Sequence, residues 1–202
     1  MKNIKYKVLF FSEWHCGSGL AAGADKDALV VKDRNKLPFI PGKTMKGLIR
    51  EAVEDIYDLR KLEDRSLIVE MFGNSIDRNN KVVTAENDSR EYVDMVKGVS
   101  FFTNVQLSAV EQNVIAKKRL ADFLYRAISS TAIDSDGIAQ DFSLRRMETV
   151  VPCSLEGEIL NVPDKMSDVI VEALKYIKRL GANRNRGLGR CEISILEKED
   201  CI

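Results

Sequence analysis

Apolar and polar positions alternate over residues 4–11, where Ile4, Tyr6, Val8 and Phe10 fall on one side and Lys5 and Lys7 on the other. A period of two predicts a half-buried β-strand. Residues 12–43 carry no period but hold Gly17, Gly19, Gly23, Pro38, Pro41 and Gly42, which reads as loop. From Thr44 the spacing changes. Met45, Leu48, Ile49, Ala52, Val53, Ile56 and Tyr57 recur at i, i+3, i+4 and i+7, predicting an amphipathic helix with Thr44 as its N-cap. Residues 60–97 are acidic and irregular, with an Asn79-Asn80 turn signal, and read as an insertion.

The second half repeats these patterns. Residues 99–107 read as a strand. Residues 116–128 read as a helix carrying Leu120, Phe123, Leu124, Ala127 and Ile128. Residues 131–150 read as a protruding hairpin, turned at Asp136-Gly137 and with Arg145-Arg146 in its returning arm. Cys153, Leu155, Gly157 and Ile159 alternate with Ser154, Glu156 and Glu158 as another strand. Residues 166–180 form a helix with Val169, Ile170, Ala173, Leu174 and Ile177 on its apolar side, and Cys191, Ile193 and Ile195 mark a last strand. Strand, helix, strands, helix, strand is the order of an α+β, ferredoxin-like βαββαβ unit of the RRM-like kind. The expectation is one domain over 1–202, with 60–97, 116–128 and 131–150 as additions.

Composition excludes more than it selects. Apolar content of 45% and charged content of 31% over 202 residues describe an ordinary globule with a real core. Cys16, Cys153, Cys191 and Cys201 lack CxxC spacing, so neither a zinc motif nor a disulfide frame is expected. The apolar run 8–11 is too short for a signal-peptide core or a membrane span. A reducing cytoplasm without membrane contact is the expected setting. Net charge is zero, but residues 1–50 hold ten Lys/Arg against four Asp/Glu, and residues 51–100 seven against twelve. A basic face can therefore coexist with an acidic surface elsewhere.

Two stretches suggest a polyanion. Gly181-Ala182-Asn183-Arg184-Asn185-Arg186-Gly187-Leu188-Gly189-Arg190 alternates glycine with arginine. Glycine lets backbone approach a ligand closely, and guanidinium grips phosphate in a fork. Upstream, Gly42-Lys43-Thr44 imitates a P-loop, but that motif needs glycine at 37, where Leu37 stands. What remains is a Pro-Gly turn into a helix N-terminus, whose amides favour phosphate, with Lys43, Lys46 and Arg50 at helical spacing. A solvated basic face explains that segment equally well.

The chain then resembles a family. The first strand, Asp27-Ala28-Leu29-Val30-Val31-Lys32-Asp33, Leu37-Pro38-Phe39-Ile40-Pro41-Gly42-Lys43-Thr44-Met45-Lys46-Gly47, Phe72-Gly73 and the closing glycine–arginine loop together resemble RAMP-superfamily subunits of CRISPR effector complexes. The likeness is to the backbone subunit of type III complexes. It implies a ferredoxin-like RNA-binding core and a thumb-like hairpin at 131–150 that interrupts the guide–target duplex. The implied partners are guide RNA, target RNA, further copies of the chain and other type III subunits. Lys43, Lys46, Arg50, Arg145, Arg146, Arg184, Arg186, Gly187, Gly189 and Arg190 are the expected RNA contacts. Such binding reads phosphate and shape rather than bases. Ala182 replaces a glycine of many relatives, Asn185 replaces a small hydroxyl residue, and 60–97 matches no family element.

The resemblance also implies a catalytic carboxylate in the loop after the first strand, with a divalent metal, magnesium or manganese. By position against Leu-Pro-Phe-Ile-Pro-Gly it is Asp27, which would serve as both catalytic group and metal ligand. A flipped nucleotide lets its 2′-hydroxyl attack the adjacent phosphorus in line. Two alternatives stay open: a non-catalytic structural subunit, or a guide-processing endoribonuclease using His15, the only histidine. A packing role suits His15, Trp14 and Cys191 better.

Overall fold

The structure is a computed structural model and describes residues 1–23, 25–74 and 96–196. In chain order the elements are β1 (Lys2–Phe10), α1 (Gly42–Leu59), α2 (Ser66–Phe72), β2 (Phe101–Phe102), α3 (Ala109–Lys118), β3 (Tyr125–Ser130), β4 (Arg145–Val150), β5 (Ser154–Val162), α4 (Ser167–Tyr176) and β6 (Cys191–Leu196). One sheet has the order β2-β5-β1-β6, and β3 and β4 make a separate two-stranded sheet. All pairings within the larger sheet are antiparallel. Taking β1, α1, β2, β5, α4 and β6 as the six core elements gives the ferredoxin-like arrangement expected from the sequence.

The sheet works by alternation. Ile4, Tyr6, Val8 and Phe10 of β1, Leu155 and Ile159 of β5, and Cys191 and Ile193 of β6 are buried. The face they form packs with Met45, Ile49 and Val53 of α1 and Ile170, Ala173 and Leu174 of α4 in one core. The opposite face is charged: Lys5 stands opposite Glu158, and Lys7 opposite Glu156. No described helix is long and apolar enough to cross a membrane.

Several boundaries differ from the sequence reading. Residues 116–128 are not one helix. α3 starts at Ala109, on a capping box between Ser108 and Glu111, and stops where Arg119 turns left-handed. A 3₁₀ turn covers Ala121–Leu124, and Tyr125–Ser130 becomes β3. The helical spacing of Leu120, Phe123, Leu124, Ala127 and Ile128 loses to a non-local partner, since β4 pairs Tyr125 with Val150 and Ile128 with Met147. The hairpin of 131–150 thus gains a stem reaching back to Tyr125. At its tip Asp134 Oδ1 accepts from the amides of Asp136 and Ile138, while Ile133, Ile138, Phe142 and Leu144 are exposed.

The strand expected over 99–107 is interrupted. Phe101 and Phe102 pair with β5 and Gln106 returns to it as an isolated bridge to Glu156, while between them Thr103 Oγ1 accepts from the Glu158 amide and Asn104 Oδ1 from the Gly42 amide. Asn104 therefore satisfies the start of α1, and Pro41 rather than Thr44 occupies the cap position. The helix expected over 166–180 ends at Tyr176. Beyond it the chain extends so that the Lys178 carbonyl accepts from the Cys191 amide. Within the expected insertion, α2 buries Ile68, Met71 and Phe72, so 66–72 belongs to the core. The Asn79-Asn80 turn lies outside the described residues.

Gly42 brings α1 against β2 so closely that a Cβ there would overlap the Phe102 carbonyl. Gly42→Ala is expected to destabilise the fold by about 1–3 kcal/mol, the usual cost of overpacking. Gly47→Ala, which meets nothing within 4 Å, is expected to leave stability equal or slightly higher. Urea titration of both variants checks this.

Candidate nucleic-acid interface

Two neighbouring sites arise from the long loop between β1 and α1. The first is a cleft of about 480 Å³ lined by His15, Gly17, Lys43, Glu51 and Arg184 among others. It lies where that loop, the start of α1 and the glycine–arginine loop meet. The glycines shape the contact. Gly181 has φ +98°, and a Cβ there would overlap the His15 carbonyl, which also accepts from the Ala182 amide. Gly189, at φ +67°, packs its Cα against the Leu180 carbonyl, and its amide donates to Glu13. Gly187, at φ +94°, meets nothing within 4 Å and is the glycine of this loop open to a ligand.

The cations do not all share one surface. Lys43 and Arg184 line the cleft, with Arg184 3.7 Å from Glu51. Arg186 is exposed on the same loop. Arg190 lies over the Phe11 ring, 5.6 Å from its centroid. Lys46 is half-buried outside the cleft lining. Arg50 turns away, with Nε donating to Glu54 at 2.8 Å and Nη1 to the Gly73 carbonyl at 3.2 Å. The free helix N-terminus anticipated for phosphate has its first amide already taken by Asn104.

The second site holds Asp27 and lies against the start of β4, at the end of the β3–β4 stem nearest the hairpin loop. The Asp27 amide donates to the Arg146 carbonyl at 2.8 Å, and the Arg146 amide donates to Asp27 Oδ2 at 2.7 Å. Arg146 Nη1 bonds Asp25 at 2.9 Å, which occupies its cationic head, while Arg145 is exposed. Asp27 itself is exposed, and its other carboxylate oxygen has no partner among the described residues. Asp33 instead closes its own turn through the amides of Asn35 and Leu37.

Beneath Asp27 lies a group the sequence reading missed. Glu148, its side chain 3% exposed, accepts from Lys26 and Lys32 at 3.0–3.1 Å and from the Val30 amide at 3.1 Å. Burial alone raises this carboxyl, but the bonds from Lys32, Lys26 and Val30 outweigh it and hold Glu148 below its ordinary value of 4.5. The Lys32 ammonium also sits 3.9 Å from the Tyr125 ring centroid. The one sequence signal was a lone acid inside the run Met147-Glu148-Thr149-Val150.

The metal expectation can be tested against these donors. Among the described residues no group of three or more His, Cys, Asp or Glu forms a cage for an ion. One open carboxylate oxygen fits a hydrated magnesium or manganese that takes its remaining ligands from water and RNA phosphate.

The sequence profile of the RAMP superfamily matches residues 7–192. The chain belongs to that superfamily. This RAMP protein resembles in fold a chain of the type III-B Cmr-beta complex bound to cognate target RNA, with TM-score 0.66 and 11% identity over 96% of this chain and 97% of the other. A chain of Cmr-beta in its apo state gives TM-score 0.65 and 12% identity over 97% and 98%. No curated protein matches it in sequence.

Glu148→Ala removes the shared partner of two partly exposed ammonium groups and the acceptor of the buried Val30 amide, and is expected to cost about 1–3 kcal/mol in a denaturant titration. The sign with pH follows from the lowered carboxyl. Its stabilisation is complete above the unfolded-state value and is lost as pH falls through the folded-state one. Between about pH 6 and pH 3 the native RAMP protein should therefore lose more stability than Glu148→Gln does.

Proposed function

We propose that this RAMP protein is the RNA-binding backbone subunit of a type III effector complex and cleaves target RNA at Asp27. The observation that carries the reading is the Asp27 carboxylate itself. One oxygen is fixed by the Arg146 amide and the other is open, on an exposed loop beside the loop end of the β3–β4 stem. A carboxylate held by one oxygen keeps its direction without losing its ability to take a proton.

The step is an in-line transfer. Asp27 takes the proton of a 2′-hydroxyl, whose oxygen bonds the adjacent phosphorus. The phosphorus–O5′ bond breaks, leaving a 2′,3′-cyclic phosphate and a 5′-hydroxyl that acquires a proton. A bound divalent ion would supply charge neutralisation at that phosphate. Lys43, Arg184, Arg186 and Arg190 hold the guide backbone beside the loop. The hairpin, with Ile133, Ile138, Phe142 and Leu144 at its apex, separates the reacting nucleotide from its stack. Asp27 sits where that hairpin begins its return, which is where a displaced nucleotide arrives. With zero net charge, a single chain binds RNA weakly and gains affinity when copies line up on one guide.

The test is cleavage of target RNA by the assembled, guide-loaded complex with magnesium or manganese. Asp27→Ala and Asp27→Asn are expected to slow periodic cutting by about 10²–10⁴-fold with target affinity unchanged. Cutting at the native rate in Asp27→Ala would leave an RNA-binding scaffold. Cutting that survives chelation and is lost in His15→Ala would assign the chemistry to His15.

A further inference from the structure

The hydrogen-bonding roles in the His15 cleft are set by the chemistry of its walls. His15 is 4% exposed, and its Nδ1 lies 2.6 Å from the main-chain carbonyl oxygen of Glu148. A carbonyl oxygen only accepts, so Nδ1 carries the proton, and in the neutral ring Nε2 is a bare acceptor. No described residue donates to Nε2. The ring reaches the cleft past Gly17: a Cβ at that position would stand 3.1 Å from Nε2, and both residues line the cavity. Glycine is not needed there for its backbone, which lies outside the positive-φ region. Its missing side chain leaves the nitrogen uncovered.

Around this buried acceptor stand two obligate donors, Lys43 and Arg184. Glu51 holds Arg184 only loosely, at 3.7 Å with both side chains well exposed, so an anion can compete for it. The cleft therefore fits a ligand that accepts from the cations and donates to the imidazole. Phosphate oxygens meet the first demand and fail the second. A deoxyribose phosphate has no sugar donor within the strand, whereas a ribose brings its 2′-hydroxyl beside the phosphate.

We propose that His15 Nε2 accepts a hydrogen bond from a ribose 2′-hydroxyl, making this cleft a subsite that distinguishes RNA from DNA. Lys43 and Arg184 hold the adjoining phosphates. The inference rests on the RNA-binding reading above and adds the sugar chemistry to it. Gly17 is part of the same device, as the window through which the hydroxyl reaches the ring.

The experiment measures binding of fluorescent single-stranded RNA, the matching DNA, and RNA with 2′-deoxy substitutions to the full chain. Two variants accompany it. His15→Asn keeps a donor near the Nδ1 position but has no Nε2, and Gly17→Ala leaves His15 intact while covering it. The native chain is expected to bind RNA tighter than DNA by about 2–10-fold per site, the range of one hydrogen bond. Both variants should weaken RNA to the level of DNA and leave DNA affinity unchanged. Equal binding of RNA and DNA by the native chain overturns the proposal, as does an RNA preference that persists in both variants. Binding neither nucleic acid would instead overturn the RNA-binding reading itself. Thermal melts establish that the variants fold, and the 2′-deoxy series on the native chain decides the matter if they do not.

Discussion

The carboxylate of Glu148 is the interaction on which the loop between β1 and α1, and with it both candidate sites, depends. It is withdrawn from water and meets two ammonium groups and an amide, all from the seven-residue stretch 26–32. A buried ion pair is poor evidence for stability, because desolvation opposes the Coulomb attraction. Its value here is geometric. The loop from β1 to α1 has little regular structure of its own, and three donors converging on one anion give it a single conformation. The carbonyl of the same residue holds His15, and its neighbour Arg146 holds Asp27. One short strand thus orients both the cleft and the exposed carboxylate.

The parts of this architecture that were legible in the sequence are those with strong local period. β1, α1, β5 and β6 turn inward the residues their alternation or helical spacing indicated, with Leu48, Cys153 and Ile195 only half-buried, because each lies on a sheet or helix with one wet face. The stretch after Lys118 was misread because Phe123, Leu124, Ala127 and Ile128 satisfy a helical spacing locally. Only the distant β4 makes an extended conformation the better solution. The Ser108-Glu111 capping box could have moved the helix to its true start. At the candidate site, the glycine–arginine loop was singled out by its composition and Asp27 by family resemblance. Glu148 was not, because what distinguishes it is convergence of Lys26 and Lys32 across more than a hundred residues.

Charge separation explains how a chain of zero net charge can present a binding surface. Many charges are spent internally: Arg50 on Glu54, Arg146 on Asp25, Lys26 and Lys32 on Glu148. On the open face of the sheet, Lys5 and Lys7 stand against Glu158 and Glu156. The central strands there carry no aromatic platform for stacking bases, unlike many RRM-like sheets. On the glycine–arginine loop and in the first turn of α1, Arg186 and Lys43 are exposed and Arg184 is held only by a loose contact with Glu51. A small local field of this kind is screened within a Debye length, so it acts on a ligand only at close range.

The apex of the β3–β4 hairpin has a consequence for solubility. Ile133, Ile138, Phe142 and Leu144 are held in water by a turn that Asp134 keeps folded, so the patch cannot collapse on itself. An apolar apex of this kind is sticky from the moment the domain folds. The solubility of the chain therefore depends on whether that apex is covered.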